Sequence, residues 1–550
     1  MVSMDMMVGT SVTDKKSGGQ LIIHVKRILF LVGAATLLFT MFLALKPESG
    51  LDIFGGLVEA SLSFGPPKGD DTTAIGGWKS SYPDRSMGGL LPDFSTFEPP
   101  DKCASRGHRS STKPAPTPHL IQRLREYEAL HRRCASHANK FNNTIVQLSL
   151  NSSSSEESCR FVVWIADNGW GNRLLSLVST FVYALLTNRV LLLQRGDMGR
   201  LFCEPFPDTS WLVPPSFPQS WFKNLSPDTE PGSEHRFGKQ FNTSFTSPAF
   251  SYVHLAGTYY PDDEMFFCDQ GQEYLSSIPW LFMRSNNYII PGLYFLSTFS
   301  PQLDELFPDK EAIFHILGNY LFHPSDIVWG WINRFRNGYL ANSAKQVGIQ
   351  VRTFYNDYQP NFEEQLTRCY LENKVLPNLT TTKDHPEYDY KIGSDKVTSV
   401  LVTSLQPDYY QHIRDFYMSA PTEDGQVVSV HQPSHDGLQL TGRFVHDLKA
   451  WAEIYLLSYS DVLITSGKST FGYVAQGLGG VKPWILFKSW NPNGHNPPCV
   501  YARSIEPCFH SPPRLDCKRT GVALDPAKRL PFVQTCEDIP VGVKLVEPVN

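Results

Sequence analysis

Several common nucleotide and metal signatures are missing from this 550-residue chain. No G-x-x-x-x-G-K-[ST] stretch occurs, so the loop that wraps a nucleoside triphosphate in P-loop proteins is excluded. No Asp-x-Asp occurs to bridge a divalent cation to a diphosphate, and no C-x-x-C spacing marks a zinc site. Charge is sparse: charged residues make up 19%, the net charge is −5, and no lysine/arginine block is present. Nucleic acid is therefore not an expected partner. Cysteine is absent before residue 103.

What is present points to a globular protein in an oxidising compartment. With 41% hydrophobic residues the chain can fill two cores. The uncharged run from Ile28 to Leu45 is long enough to cross a bilayer at about 1.5 Å per residue. Lys15, Lys16, His24, Lys26 and Arg27 precede it, so the positive-inside tendency puts the short N-terminus in the cytoplasm and the rest in a lumen. The run exceeds a usual signal-peptide core and lacks a nearby cleavage site, which favours an anchor. All ten cysteines follow it, and an even count beyond an anchor points to disulfides. Four of them crowd into Cys499–Cys536 among prolines. Glycosylation sequons at Asn142, Asn151, Asn224, Asn242 and Asn378 share that side of the anchor.

Between Pro47 and Pro118 the chain is rich in Gly, Pro, Ser and Asp without sustained periodicity, as a stem would be. Apolar residues at helical spacing from Leu120 to His131 open the globular part. Arg160–Ala166 reads as a buried strand, Asp167–Asn172 as a glycine-containing loop, Arg173–Thr187 as an apolar helix and Arg189–Gln194 as a second strand. This is a βαβ unit, and such units bind ligands at the carboxyl ends of their strands. The second half repeats the grammar, with strands over 344–351, 397–403, 426–430 and 483–487 and helices over 408–418 and 447–458.

The most telling segment is Asp461–Gly480, an apolar strand, a polar loop and a helix. Ser466 to Thr470 fall where the first N–H groups of a helix lack intrahelical partners and the helix dipole is positive, so a diphosphate suits the place. For any single junction of this kind an ordinary Ser/Thr N-cap is the common alternative. Gly348-Ile-Gln-Val-Arg352 ends another strand with an arginine, whose planar fork donates paired hydrogen bonds to phosphate. Pro261-Asp-Asp-Glu264 is an acidic loop cluster read as solvated rather than chelating.

Five ordered stretches carry a family resemblance: Gly171 to Arg189, Phe202 to Trp211, Gly348 to Arg352, Val430 to His435, and Lys449 to Leu486. Over roughly Cys159 to Cys517 the chain resembles the plant galactoside/xyloglucan 2-α-L-fucosyltransferases, which use GDP-fucose in the Golgi. The resemblance implies an α/β, GT-B-like fold of two Rossmann-like domains facing a cleft, inversion at fucose C1, and no metal or other cofactor. It divides the chain into a cytoplasmic tail (1–27), an anchor (28–45), a stem (46–118), an acceptor-side domain (119–340), a GDP-fucose-binding domain (341–500) and a Cys/Pro-rich C-terminal segment (501–550).

Arg352 is then the expected catalytic residue, stabilising the departing GDP. His431, Ser469, Thr470, Phe471 and Gly472 join it in binding the donor, with His435 and Asp436 beside His431. Asn172, Arg173 and Asn286 are expected on the acceptor side. Where xyloglucan-type relatives carry Asp-Asn-Tyr, this chain has Asn286-Asn287-Tyr288, and Asn286 cannot act as a base. Trp170, Trp280 and Tyr355 are candidates for stacking on sugar rings. The expected acceptor is a cell-wall polysaccharide or proteoglycan, with xyloglucan ahead of arabinogalactan proteins. A non-catalytic sugar-binding homologue and pairing of two copies into a homodimer both stay open.

Overall fold

The computed structural model describes residues 86–548 apart from 93–102, 107, 109–113, 136–158, 218–221, 223–224, 226–233, 244–247, 258–259, 354–359, 382–393, 488–494, 519 and 521–524. The expected tail, the anchor over 28–45, most of the stem, the sequons at Asn142, Asn151 and Asn224, and Tyr355 lie outside the described residues. Among the described residues no helix is long and apolar enough to cross a membrane.

Two parallel sheets organise residues 81–550. The first contains β1 (Arg160–Ile165), β2 (Arg189–Leu193), β3 (Phe250–Leu255) and β4 (Trp280–Ser285) in the order β2-β1-β4-β3, with every neighbouring pair parallel. Five consecutive residues of β1, Phe161 to Ile165, are buried. A central parallel strand is covered on both faces, so its sequence is a continuous apolar run rather than an alternation. Ahead of this sheet stands α1 (Pro118–Ala135). The crossover helix between β1 and β2 is α2 (Trp170–Thr187), three residues longer at its start than its apolar periodicity announces. It ends on Asn188, whose left-handed φ of 51° closes the last turn.

Next come α3 (Ile313–Leu321) and α4 (Asp326–Phe335). The second sheet takes β5 (Lys345–Gln350), β6 (Val397–Thr403), β7 (Val427–His431), β8 (Val462–Ser466), β9 (Trp484–Leu486) and β10 (Cys499–Tyr501). Their order is β10-β9-β8-β5-β6-β7, parallel except for the antiparallel β9–β10 pair. Its helices are α5 (Pro360–Glu372), which periodicity did not announce, α6 (Asp408–Ser419), α7 (Phe444–Leu457) and α8 (Thr470–Gly479). A short hairpin of β11 (Val533–Thr535) and β12 (Val543–Leu545) follows.

One hydrophobic cluster runs through both halves, taking Leu174 and Phe181 from α2, Phe314 and Leu317 from α3, Trp451 from α7 and Val474 from α8. Glycines permit this closeness. A Cβ on Gly477 would lie 2.4 Å from the Phe314 ring, and one on Gly171 only 2.4 Å from the Thr470 carbonyl carbon and 2.5 Å from the Phe471 nitrogen.

All ten cysteines are paired, as Cys103–Cys203, Cys134–Cys159, Cys268–Cys517, Cys369–Cys499 and Cys508–Cys536. Only the last lies within the crowded C-terminal stretch; Cys499 and Cys517 reach back to distant elements. The expected stem also needs correction. Met87, Leu90 and Leu91 are buried in the same cluster as Leu120 and Leu124, and Cys103 is tied to Cys203, so the packed body begins well before residue 119. A turn through Gly88 and Gly89, both with positive φ, folds these apolar residues inward within a stretch whose composition reads as linker. The acidic loop is corrected too. Asp263 is 1% exposed and accepts hydrogen bonds from Arg236 Nη1 (2.8 Å) and the Gly238 amide (3.0 Å), a structural pair rather than a solvated cluster. Asn242 and Asn378 are exposed.

Gly171→Ala is expected to cost about 1–3 kcal/mol, because its methyl group meets backbone that cannot rotate away. Thermal melting of that variant beside Gly338→Ala, whose added methyl would meet open space, checks this: a clear drop is expected for the first alone.

Candidate active site

Loops leaving the carboxyl ends of both sheets wall a cleft of about 950 Å³. From β1 come Asn168 to Arg173, from β5 Arg352, from β6 Thr403 and Ser404, and from β8 Lys468 to Phe471. This is where open α/β sheets place ligands. The β1–α2 and β8–α8 junctions share one backbone solution. Each turns through a non-glycine residue with left-handed φ, Asn168 at 57° and Lys468 at 59°, then an extended N-cap, Gly169 or Ser469. Gly169 has no side chain to cap its helix, and that of Ser469 makes no capping bond to α8. Such backbone is tolerated where surrounding contacts hold it. At Lys468 the holder is Asp538, in the β11–β12 connection, which accepts from the Lys468 amide (2.6 Å) and the Tyr473 hydroxyl (2.5 Å).

The N-termini of α2 and α8 meet. Thr470 Oγ1 donates to Asn172 Oδ1 (3.0 Å), and Asn172 Nδ2 donates to the Asn286 carbonyl (3.0 Å). Two positive helix ends therefore open on one cleft. Arg352 is fixed from behind, its amide donating to Ser466 Oγ (2.9 Å), while its Nη2 donates to Gln439 Oε1 (2.7 Å) on the loop before α7. Burial lowers its guanidinium pKa from the ordinary value, and an arginine remains cationic. Arg173 donates from Nε to the Asn168 carbonyl (2.9 Å) and lies 5.3 Å over the Trp170 ring. Burial lowers its pKa as well, opposed by Asp447, Asp167 and Asp197.

A second polar cluster stands on α7. Lys449 Nζ donates to Asp436 Oδ1 (2.7 Å), and His446 Nδ1 lies 2.9 Å from Asp436 Oδ2. Burial pushes the Asp436 pKa up, but the bonds from Lys449 and His446 outweigh it and hold the carboxyl below its ordinary value. Glu453 goes the other way. Burial pushes it up to about 8, against a hydrogen bond from Ser434 and with added repulsion from Asp436. At neutral pH the cleft thus pairs an ionised carboxylate with a protonated one, the separation that acid–base sites use.

Asn172, Arg173, Arg352, Ser469, Thr470 and Phe471 all line this cleft, as does Trp170. Gly472 does not. It seats α8 on the sheet, where a Cβ would lie 2.9 Å from the Thr465 side chain. Asn286 sits behind the wall, its Oδ1 accepting from the Gly257 amide (3.0 Å) while its carbonyl steadies Asn172. His431 faces a separate groove beside Tyr339 rather than the cleft. Trp280 is a core residue, stacked on Phe161 at 4.2 Å. Sequence reading missed Gln439, His446, Lys449 and Glu453. The last three recur at spacings of three and four on a helix whose other residues, Asp447 apart, are apolar, a signal that was available. Gln439 lies in an irregular loop and gave none. Among the described residues no group of three or more His, Cys, Asp or Glu side chains is arranged to hold a metal.

Known proteins share this architecture. A family model described as xyloglucan fucosyltransferase matches residues 57–518. A galactoside 2-alpha-L-fucosyltransferase of Pisum sativum is 45% identical over 474 residues, covering 84% of this chain and 82% of the relative. Its Arabidopsis thaliana counterpart is 42% identical over 472 residues, covering 84% and 83%. Among solved structures, an Arabidopsis thaliana FUT1 mutant in complex with GDP matches with a TM-score of 0.76 and 40% identity, over 84% of this chain and 100% of that one. With the family model spanning most of the sequence and relatives this similar over more than four-fifths of their length, the chain is a fucosyltransferase and belongs to the xyloglucan fucosyltransferase family.

Proposed function

We propose that this protein transfers L-fucose from GDP-fucose to O-2 of a galactose in a plant cell-wall glycan, xyloglucan first, with inversion at the fucose carbon and through a GT-B-like cleft. The observation that carries the reading is the convergence of Arg352 with the N-termini of α2 and α8 on one cleft. GDP departs with two phosphates of growing negative charge. Fixed positive groups aimed at that charge stabilise the transition state without reorganising, and no bound metal is needed in this scheme. The β-phosphate sits against the Ser469–Phe471 turn and the Arg352 fork. Asp436, held ionised, accepts the N–H donors that a guanine base offers, and neutral Glu453 can donate beside it. Asn172 and Arg173 adjoin this turn at the start of α2, where acceptor hydroxyls enter.

The fucosyl carbon carries positive charge as its bond to phosphate stretches, and the galactose O-2 closes from the face opposite GDP. With Asn286 turned into the wall, the acceptor proton leaves late, after most of the new bond has formed, and passes to solvent water as GDP departs. A Golgi type II arrangement completes the proposal, with residues 28–45 as anchor and the packed body in the lumen. Five disulfides and the exposed sequons at Asn242 and Asn378 support an oxidising, glycosylating compartment.

The full-length protein in detergent, given GDP-fucose and galactosylated xyloglucan, is expected to release GDP and form α-1,2-fucosylated product. Transfer to arabinogalactan instead would overturn the acceptor, and tight GDP-fucose binding with no transfer to either would overturn catalysis. Arg352→Ala should lower turnover about 100-fold, a loss of about 3 kcal/mol of transition-state stabilisation; a folded variant with near-normal turnover contradicts its role. Glu453 gives a pH test. Its native pKa of about 8 lies above the ordinary carboxyl value of 4.5, so folding favours its protonated form. The stability this contributes is fully present below pH 4.5 and is lost as pH rises through 8. The melting temperature of Glu453→Gln should therefore fall less than that of the parent between about pH 6 and about pH 9, and parallel profiles would refute the assignment.

A further inference from the structure

Outside the cleft, α4 runs into a π-helical turn over Arg336–Leu340. Trp331, Phe335 and Tyr339 follow one another at i, i+4 and i+8. In an α-helix a step of four residues slightly overshoots a full turn, whereas in a π-turn it falls slightly short. The two drifts cancel, and the three rings stay in line. Trp331 stacks on Phe335 at 5.9 Å with 7° between planes, Phe335 stands 5.0 Å from Tyr339, and Tyr339 stands 5.2 Å from His431 at the end of β7. These rings and Tyr410 of α6 line a groove of about 580 Å³.

An aromatic row on a soluble surface is costly unless something covers it, and Tyr339 is 55% exposed. The chemistry of the groove selects the cover. No carboxylate lines it, and the one arginine, Arg334, is exposed, so its long side chain can keep the charge in water. Burial holds His431 below its ordinary pKa, so it contributes no cation at neutral pH. A neutral ligand with flat apolar faces and hydroxyl rims fits these walls, and a pyranose ring has both. A row of rings, rather than a single ring in a pocket, fits an extended chain of them.

The groove is also tied to the cleft. Gln432, on its wall, donates from Nε2 to the carbonyls of Ser404 (2.9 Å) and Ser434 (2.8 Å), both cleft residues. From Gln432 to Ser434 the backbone reaches roughly 7 Å. We propose that the Trp331–Phe335–Tyr339–His431 groove is a second carbohydrate site, which takes a stretch of neutral polysaccharide backbone while a galactose of the same chain occupies the catalytic cleft. This inference rests on the glycan-acceptor reading above. Holding the polymer at a second point raises the local concentration of its branches at the cleft without altering the chemistry there.

The test compares polymeric tamarind xyloglucan with its short galactosylated oligosaccharides, using full-length parent, Tyr339→Ala and Tyr339→Phe. Tyr339→Ala should raise KM for the polymer about five- to tenfold, leaving kcat and the oligosaccharide KM unchanged, and Tyr339→Phe should restore the parent value. An unchanged polymer KM in Tyr339→Ala, or equal losses on both acceptors, overturns the groove. Retardation in native gels containing the polymer reads the same contact without turnover. If the parent transfers to neither acceptor, the acceptor reading fails, and the gel alone decides the groove: retardation of parent but not Tyr339→Ala supports it, and equal mobility refutes it.

Discussion

Everything in this molecule is arranged around the place where two helices meet nose to nose. Gly171 at the start of α2 touches the backbone of Thr470 at the start of α8, and Asn172 bonds to the Thr470 hydroxyl. Like poles of two helix dipoles repel, so this approach is held by packing elsewhere: the shared core of α2, α3, α7 and α8, and the close seating of Gly477 on Phe314. An unliganded protein carries that repulsion as a cost, and an anion in the cleft relieves it. Binding and fold are coupled through one contact.

The repeated junction geometry shows how a sheet delivers this arrangement. Left-handed Asn168 and Lys468 redirect the chain from a buried strand to a helix start within a few residues. Asn tolerates such a φ; Lys does so here because Asp538 takes its amide. The β11–β12 hairpin, far from the cleft in sequence, thereby shapes the loop from behind.

Much of the α/β pattern was legible. Strands such as Val397–Thr403 announced themselves by apolar β-branched runs, and the helices 118–135 and 408–419 by their periodicity. The cleft residues on strand ends, Arg352 and Ser469 to Phe471, were legible because strand–loop–helix grammar fixes where they point. What stayed hidden was set by three-dimensional context. Met87 and Leu90 sit in linker-like composition and are recruited by a glycine turn. His431 ends its strand on the edge of the sheet, and the chain reaches the cleft only at Ser434. Gln439 reaches Arg352 from a loop with no periodicity to read. Asn286 and Gly472 lie one layer behind the wall, and sequence adjacency to a site does not distinguish lining from backing.

The C-terminal segment gives the chain a property unlike that of hinged two-domain enzymes. Cys517 is bonded to Cys268 between β3 and β4, while Asp538, about twenty residues on, holds the β8–α8 loop through the Lys468 amide. Cys517 and Asp538 thus tie the C-terminal segment to both halves. A contact of this kind fixes the loop's backbone during folding, so less ordering remains for a ligand to impose.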